Sequence, residues 1–381
     1  MKKAKIIAAI AASAVITGSF IAGCAKSVSV NTGGIMLDID VAPTQTAAYE
    51  QYTKAALDEY FAVANEHLDE GGDIDIENEQ VIAAAIPAAA KVFAYACYNE
   101  RTLDQYVFFA SQEGETDISA GSATALKQEY YLRVNEQAGI TCGYRYHYTI
   151  KMVVNSDGLI SKFKGAFESA RTRITDETDI LYRLEGSNIR IGAKNDVLGI
   201  NLLECDWKTG KDWGEHDVIM RKSEVIDPDK IREDIESVAG EDNITMRANI
   251  NILADNILKN AVIVRDESSD EGAGYLIIMT VDTEVANRDR ASLKMLRKAN
   301  GSDDCEWISE NGDSGLSIAF RIWSNGLFRM YSVSEKWQGK ISGFSGTADS
   351  STVYYYSYSD RDCDMTGYLK MLAEAKAAKG D

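Results

Sequence analysis

Histidine is scarce in this chain. His67, His147 and His216 are its only three among 381 residues. No HxxxH, HxH or HExxH spacing exists, so zincin chemistry has no ligand set, and His147 alone makes no metal site. The six cysteines (Cys24, Cys97, Cys142, Cys205, Cys305 and Cys363) contain no CxxC pair, which removes the usual zinc and dithiol redox motifs. GxGxxG, P-loop and GxSxG sequences are also missing. Nucleotide binding and α/β-hydrolase chemistry therefore have no foothold, and no cofactor is expected. Basic residues are outnumbered, 40 Lys and Arg against 59 Asp and Glu, for a net charge of -19. So acidic a chain repels polyanions, which discounts nucleic acid and anionic lipid surfaces as partners.

What the sequence does contain begins at its first residues. Lys2, Lys3 and Lys5 precede an uncharged apolar run from Ile6 to Ile21, followed by the small residues Ala22 and Gly23 and then Cys24. A basic start, a short apolar stretch and small residues at its end are the layout of a secretory signal peptide. The run is shorter than the ~20 residues a spanning helix needs. The tetrad IAGC, 21–24, resembles the lipobox of bacterial lipoproteins. That resemblance implies cleavage after Gly23, a diacylglyceryl thioether and palmitate-type acylation on Cys24, and a lipid-anchored protein in the cell envelope, facing outside the cytoplasm. Two acyl chains anchor stably because each buried CH2 adds about 0.8 kcal/mol. Losing three lysines with the signal takes the net charge from -19 to -22. The five remaining cysteines form an odd set, so at least one is free or pairs outside the chain. Buried thiols are the simplest reading, with a Cys305–Cys363 bridge as the alternative an oxidising envelope allows.

Residues 24–44 read as the lipidated cysteine and a tether, with IMLDIDV at 35–41 as a competing strand pattern. A helix is expected next, with Tyr49, Tyr52, Ala56, Tyr60, Val63 and Ala64 forming a stripe widened by Leu57, Phe61 and Leu68. Thr44 or Thr46 would cap it and Gly71–Gly72 would stop it. A second, alanine-rich helix spans about 79–99, with Pro87 as a kink or new start. Strands dominate from Tyr130 onward. Tyr144, Tyr146, Tyr148, Ile150 and Met152 alternate with polar residues before Asp157-Gly158, which suits a two-residue turn. Leu316, Ile318, Phe320 and Ile322 do the same before Asn325-Gly326. Superimposing the two turns at an offset of 168 residues matches Ile150 with Ile318, Met152 with Phe320 and Phe163 with Tyr331. The strands 178–184 and 351–358 echo each other, and a helix-period segment, 246–260, stands before the second strand region as 79–99 stands before the first. A short helix, 365–378, capped by Asp364, closes the chain.

The expectation is an α+β chain of two similar halves, 45–225 and 226–381, each with helices packed on an antiparallel sheet of hairpins. Candidate chemistry is thin. GDSG at 312–315 resembles the nucleophile segment of trypsin-like proteases, but no histidine lies in a matching context for Ser314. The acidic runs 73–79 and 360–364 lack the Gly and Glu of an EF-hand loop. Tyrosine is abundant, at 19 residues, and Tyr354, Tyr356 and Tyr358 share one strand face. With Trp207 and Trp213 they form the candidate binding surface; Met152, Phe163, Phe320 and Tyr331 form the candidate apolar pocket. The leading function is a non-catalytic, membrane-anchored lipoprotein that binds a protein or envelope partner. The alternatives are a carrier of an apolar ligand in a half-barrel sheet and an envelope hydrolase.

Overall fold

The structure is a computed structural model. It describes residues 28–30, 35–103, 105–118, 121–136, 139–154, 159–174, 177–187, 194–195, 200–201, 217–222, 257–266, 274–288, 304–309, 314–341, 344–364 and 366. The chain opens with two short strands, β1 (Val28–Val30) and β2 (Ile35–Leu37), and two helices, α1 (Glu50–Ala64) and α2 (Glu79–Thr102). Then come β3 (Gln105–Ile118), β4 (Gly121–Glu136), β5 (Gly139–Val154), β6 (Leu159–Ile174), β7 (Glu177–Ser187), β8 (Lys194–Asn195), β9 (Ile200–Asn201) and β10 (Asp217–Lys222). The remainder is β11 (Leu258–Asp266), β12 (Gly274–Val281), the short helix α3 (Thr283–Ala286), β13 (Glu306–Trp307), β14 (Leu316–Trp323), β15 (Phe328–Ile341) and β16 (Phe344–Ser357).

Twelve strands build one antiparallel sheet, in the order β10-β7-β6-β5-β4-β3-β16-β15-β14-β12-β11, with β13 on β15. Its longest strands hold 16 residues, about 54 Å at the usual rise. Strands of both expected halves lie in this one sheet. Strand β16 pairs with β3 from Gly346↔Ile118 to Ser357↔Val107, which joins the two strand regions edge to edge. Separate sheets would leave both strands as open edges, and pairing removes that liability. The helices of the first region also lie on strands of the second: α1 packs on α2, which packs on β11, β12 and β15.

Helix α1 buries Thr53, Ala56, Leu57, Tyr60, Phe61 and Ala64, close to the expected stripe. It ends at Ala64, well before Gly71. Leu68 is half-exposed, and Asp69 folds the following loop by accepting from the Gly71 and Asp73 N–H groups at 2.7 and 3.1 Å. Neither threonine caps α1. Tyr49 occupies the cap, and its N–H donates instead to the buried Asn99 side chain of α2 at 2.9 Å. Helix α2 is capped by Asn78 and continues past Pro87 without a new start. It is long and apolar enough to cross a bilayer, but 67% of that window is buried inside the protein, so it serves as the core helix. Its buried alanines (Ala85, Ala88, Ala89, Ala90, Ala94 and Ala96) bring the neighbouring backbones close.

The tether expected over 25–44 is fastened at its far end. Leu37 is fully buried, and the Asp38 N–H donates to Asp362 at 2.7 Å. Asp38 also pairs with Arg361 at 3.0 Å, and Asp40 pairs with Arg329. The helix expected over 246–260 gives way to β11 at Leu258, where Ala261 and Ile263 are buried in alternation; its earlier part lies outside the described residues. Asp364 accepts from Thr366 N–H at 2.9 Å, as a helix cap would, and the remainder of the expected helix is outside the described residues.

Both strand pairs form. In β5–β6 the last described pair is Val154↔Leu159, and the Asp157-Gly158 turn lies outside the described residues. In β14–β15 the Gly326 N–H donates to Trp323 O at 2.8 Å and the Trp323 N–H to Leu327 O at 2.9 Å. Gly326 has φ +85°, so this is a three-residue loop with a left-handed glycine at its end. The strand order of the echo survives, β5-β6-β7 and β14-β15-β16, but its register does not. Phe320 stands opposite Tyr331, whereas Met152 stands opposite Ser161 and Phe163 opposite Ile150.

Candidate functional site: an aromatic sheet face

Antiparallel pairing puts directly opposed residues on the same face of a sheet. One row of pairs runs across ten strands. It starts Ile263, Ile277, Phe320, Tyr331 and Tyr354 on β11, β12, β14, β15 and β16. It continues through Ala110, Glu129, Tyr146, Phe167 and Leu184 on β3 to β7. Residues two apart along a strand share that face. Ile150, opposite Phe163, and Met152, in the row of Ala123, Thr116, Ala348 and Trp337, are therefore on it too. The register thus places all four candidate pocket residues, Met152, Phe163, Phe320 and Tyr331, on one face, although they are far apart along it.

Helix α2 fills the C-terminal part of that face. Phe93 is buried, with its ring 5.1 Å from Phe320, 5.8 Å from Phe328 and 6.2 Å from Tyr331. The tyrosines continue the stack: Tyr331 and Tyr354 are 4.2 Å apart at 13°, and Tyr356 stacks on Phe328 at 5.6 Å. The Tyr356 hydroxyl donates to Glu100 at 3.1 Å, and that of Tyr358 to Phe328 O at 2.5 Å. Tyr356 and Tyr358 are buried and Tyr354 is half-buried, so these three form an interior ladder rather than an exposed surface. Trp207 and Trp213, like Cys24 and Gly23, lie outside the described residues. No described helix is among the main packing partners of β4, β5, β6, β7 and β10.

Burial holds the phenols protonated. Desolvation, then the Tyr354 and Glu100 charges, raises Tyr331 well above its ordinary value. Desolvation and Glu100 do the same to Tyr356 and Tyr358. Burial alone pushes Tyr60 up to about 12, where its hydroxyl donates to Ile263 O at 3.0 Å. Below pH ~10 phenols carry their protons in both folded and unfolded chains. Above it the unfolded chain loses protons that the folded chain keeps, so stability falls as pH rises toward the folded values. A spectrophotometric titration will show a delayed class including Tyr60, Tyr331, Tyr356 and Tyr358, released together when the protein unfolds in alkali. Smooth titration of every tyrosine near pH 10 would contradict the interior ladder.

The other candidates are held in structural roles. Ser314 Oγ is 2.5 Å from Val281 O and 2.9 Å from Leu316 O, and accepts from the Leu316 N–H at 3.1 Å. It ties the turn to β12 and β14. In the acidic runs, Asp75 accepts from the Glu77 N–H at 3.3 Å, and Asp362 from the Ser357 hydroxyl at 2.7 Å. Among the described residues no group of three His, Cys, Asp or Glu side chains is disposed to hold a metal ion. Cys97, Cys305 and Cys363 are buried, and the Cys305–Cys363 bridge is not formed. Burial, with Asp362 and Asp360 adding to it, pushes the Cys363 thiol up to about 12. Sequence reasoning missed Phe93, the residue that plugs the sheet.

No family model matches the chain, and no curated protein matches it. Among solved structures it is similar to a β-barrel-like protein of the domain of unknown function DUF1849 from Brucella abortus. That likeness has 9% identity, covers 67% of this chain and 98% of the other, and has a TM-score of 0.24. It is also similar to a DUF1329 family protein from Desulfovibrio piger, at 10% identity, 74% and 99% coverage and a TM-score of 0.17. Likenesses at these TM-scores decide nothing about the site, which rests on its own residues.

Proposed function

We propose that this chain is a non-catalytic envelope lipoprotein, anchored through acylated Cys24, that binds an apolar molecule on the β4–β7 part of its sheet. One observation carries the ligand reading. The row that begins in the core at Ile263 and Phe320 continues through Tyr146, Phe167 and Leu184 onto strands for which no described helix is a main packing partner. Apolar positions in such a row gain about 25 cal/mol per Å2 when covered, which is the driving force for taking up an apolar partner. A protein or envelope partner is the second reading, favoured by Phe93 filling the other end of the face.

Two experiments test the proposal. Labelled palmitate is expected in the wild-type protein and absent after Cys24→Ala, which also leaves the membrane fraction; retention of both would contradict the anchor. A neutral apolar dye is expected to bind, with affinity reduced roughly tenfold by Ile150→Glu, because a carboxylate placed on an apolar face must be desolvated. Lys151→Glu, one residue away on the other face, is expected to leave binding intact. Equal behaviour of the two variants would contradict the ligand face.

A further inference from the structure

Between β2 and α1 the chain crosses one end of the sheet. Leu37 is buried outside the main core cluster, Ala42 packs against that core and Ala47 belongs to it. From Asp38 to Thr46 no side chain is fully buried, Val41 is exposed, and the backbone forms neither helix nor strand. Polar links hold this segment to the body. The Asp38 N–H donates to Asp362 at 2.7 Å and its carboxylate pairs with Arg361 at 3.0 Å. Asp40 pairs with Arg329. The Gln45 amide donates to Gln105 O at 2.8 Å and accepts from the Gln105 N–H at 3.3 Å, while Asn325 donates to Gln45 O at 3.4 Å. Gln105 opens β3, Asn325 and Arg329 flank the β14–β15 loop, and Asp362 follows β16. Those three sites lie at the same end of the sheet, because β16 runs antiparallel to both β15 and β3.

We infer that residues 38–46 are a releasable strap, clasped by the Asp40–Arg329 pair, that opens while the sheet stays folded and opens more readily as salt rises. A segment with few buried apolar contacts opens locally at lower free energy than the whole fold. Release also leaves both arginines beside a carboxylate of the body. Arg329 keeps Asp266 at 3.8 Å and the Trp323 ring, whose centroid is 5.1 Å from the guanidinium carbon; Asp266 in turn holds Arg321 at 3.5 Å. Arg361 keeps Asp362 at 2.7 Å. A cation left buried without a partner would oppose opening, and neither arginine meets that obstacle. The clasp is Asp40 rather than Asp38 because shelter decides what an ion pair contributes. Asp40 and Arg329 are 22% and 12% exposed, whereas Arg361 is 57% exposed, and exposed pairs contribute little. The Asp40–Arg329 pair is still open enough to solvent for salt to weaken it. Ala42 leaves the core with the strap, so opening admits solvent to this end of the core. The strap is thus a gate whose state follows ionic strength.

Native-state proteolysis of the full protein tests the strap. Proteinase K is used at a low level, so that cleavage tracks the population of the open form, and cuts within 38–46 are read by mass. Each rate is divided by that of a free peptide of the same sequence in the same buffer, which removes any effect of salt or substitution on the protease. Cuts within 38–46 are expected before the sheet is cut, and about fivefold faster in ~1 M than in ~50 mM salt. Asp40→Asn and Arg329→Gln are each expected to raise the low-salt rate about fivefold and to remove most of the salt dependence. Lys340→Gln breaks an exposed pair with Asp304 at the other end of β15 and is expected to change neither. Should Arg329→Gln misfold, Asp40→Asn, which alters only the strap, decides the point. Equal rates in the wild type and Asp40→Asn, or a wild-type rate independent of salt, overturn the clasp. Cuts in the strap no faster than cuts in the sheet, with the same dependence on urea, overturn local release.

Discussion

Phe93→Ala is expected to lower the free energy of unfolding by about 3–5 kcal/mol, the range for removing a buried phenyl ring from a packed core. The ring is 2% exposed and meets Phe320, Phe328 and Tyr331, so its removal leaves a cavity lined from both α2 and the sheet. Collapse cannot close it easily, because the sheet side is fixed by β14–β15 pairing. Urea denaturation measures the loss. A cost under 1 kcal/mol would mean that α2 does not plug the sheet there. The variant also separates the two functional readings. If ligand binding belongs to β4–β7, destabilised but folded Phe93→Ala binds the apolar dye as before.

Gly315→Ala is expected to cost about 3 kcal/mol or more. A Cβ there would overlap the carbonyl of Ile308 and come within 2.8 Å of that of Lys336. Both obstacles are backbone, so no side chain can rotate away. The Lys336 N–H donates to Gly315 O at 2.7 Å, and the Ile308 N–H to Lys336 O at 3.0 Å. Relief of the clash means pulling β13 and the buried Trp307 off β15. Gly114→Ala is the control. Its Cβ would make ordinary contacts of 3.5 and 3.6 Å with Asp349 and Ser350, so its effect is expected within about 0.5 kcal/mol. Similar costs at the two sites would contradict the close approach of β13.

Local patterns carried much of this structure, and long-range pairing did not. The alternation around Tyr146 and Phe320 and the stripe around Tyr60 each follow from a period visible within a dozen residues. That β16 joins β3 is not visible in either strand, because both read equally well as edges; only the choice of partner decides whether the sheet is one or two. The Asn325-Gly326 loop misled for a related reason. Asn325-Gly326 marks a turn, but the left-handed Gly326 sets a three-residue loop.

The site was legible in the same uneven way. Met152, Phe163, Phe320 and Tyr331 could be placed on faces of their own hairpins, yet sharing one face required every intervening register. Phe93 sat in an alanine-rich segment and was overshadowed by it, although FAYACY at 93–98 is aromatic at every second or third position.

The central claim is that the β4–β7 face holds an apolar molecule. Native mass spectrometry of the full protein, purified from cells and released from detergent in the gas phase, with lipid extraction alongside, tests it most directly. The account predicts one apolar molecule per chain, retained beyond the mass of the acylated protein and lost in Ile150→Glu. A mass matching the acylated chain alone, with nothing in the extract, would contradict it.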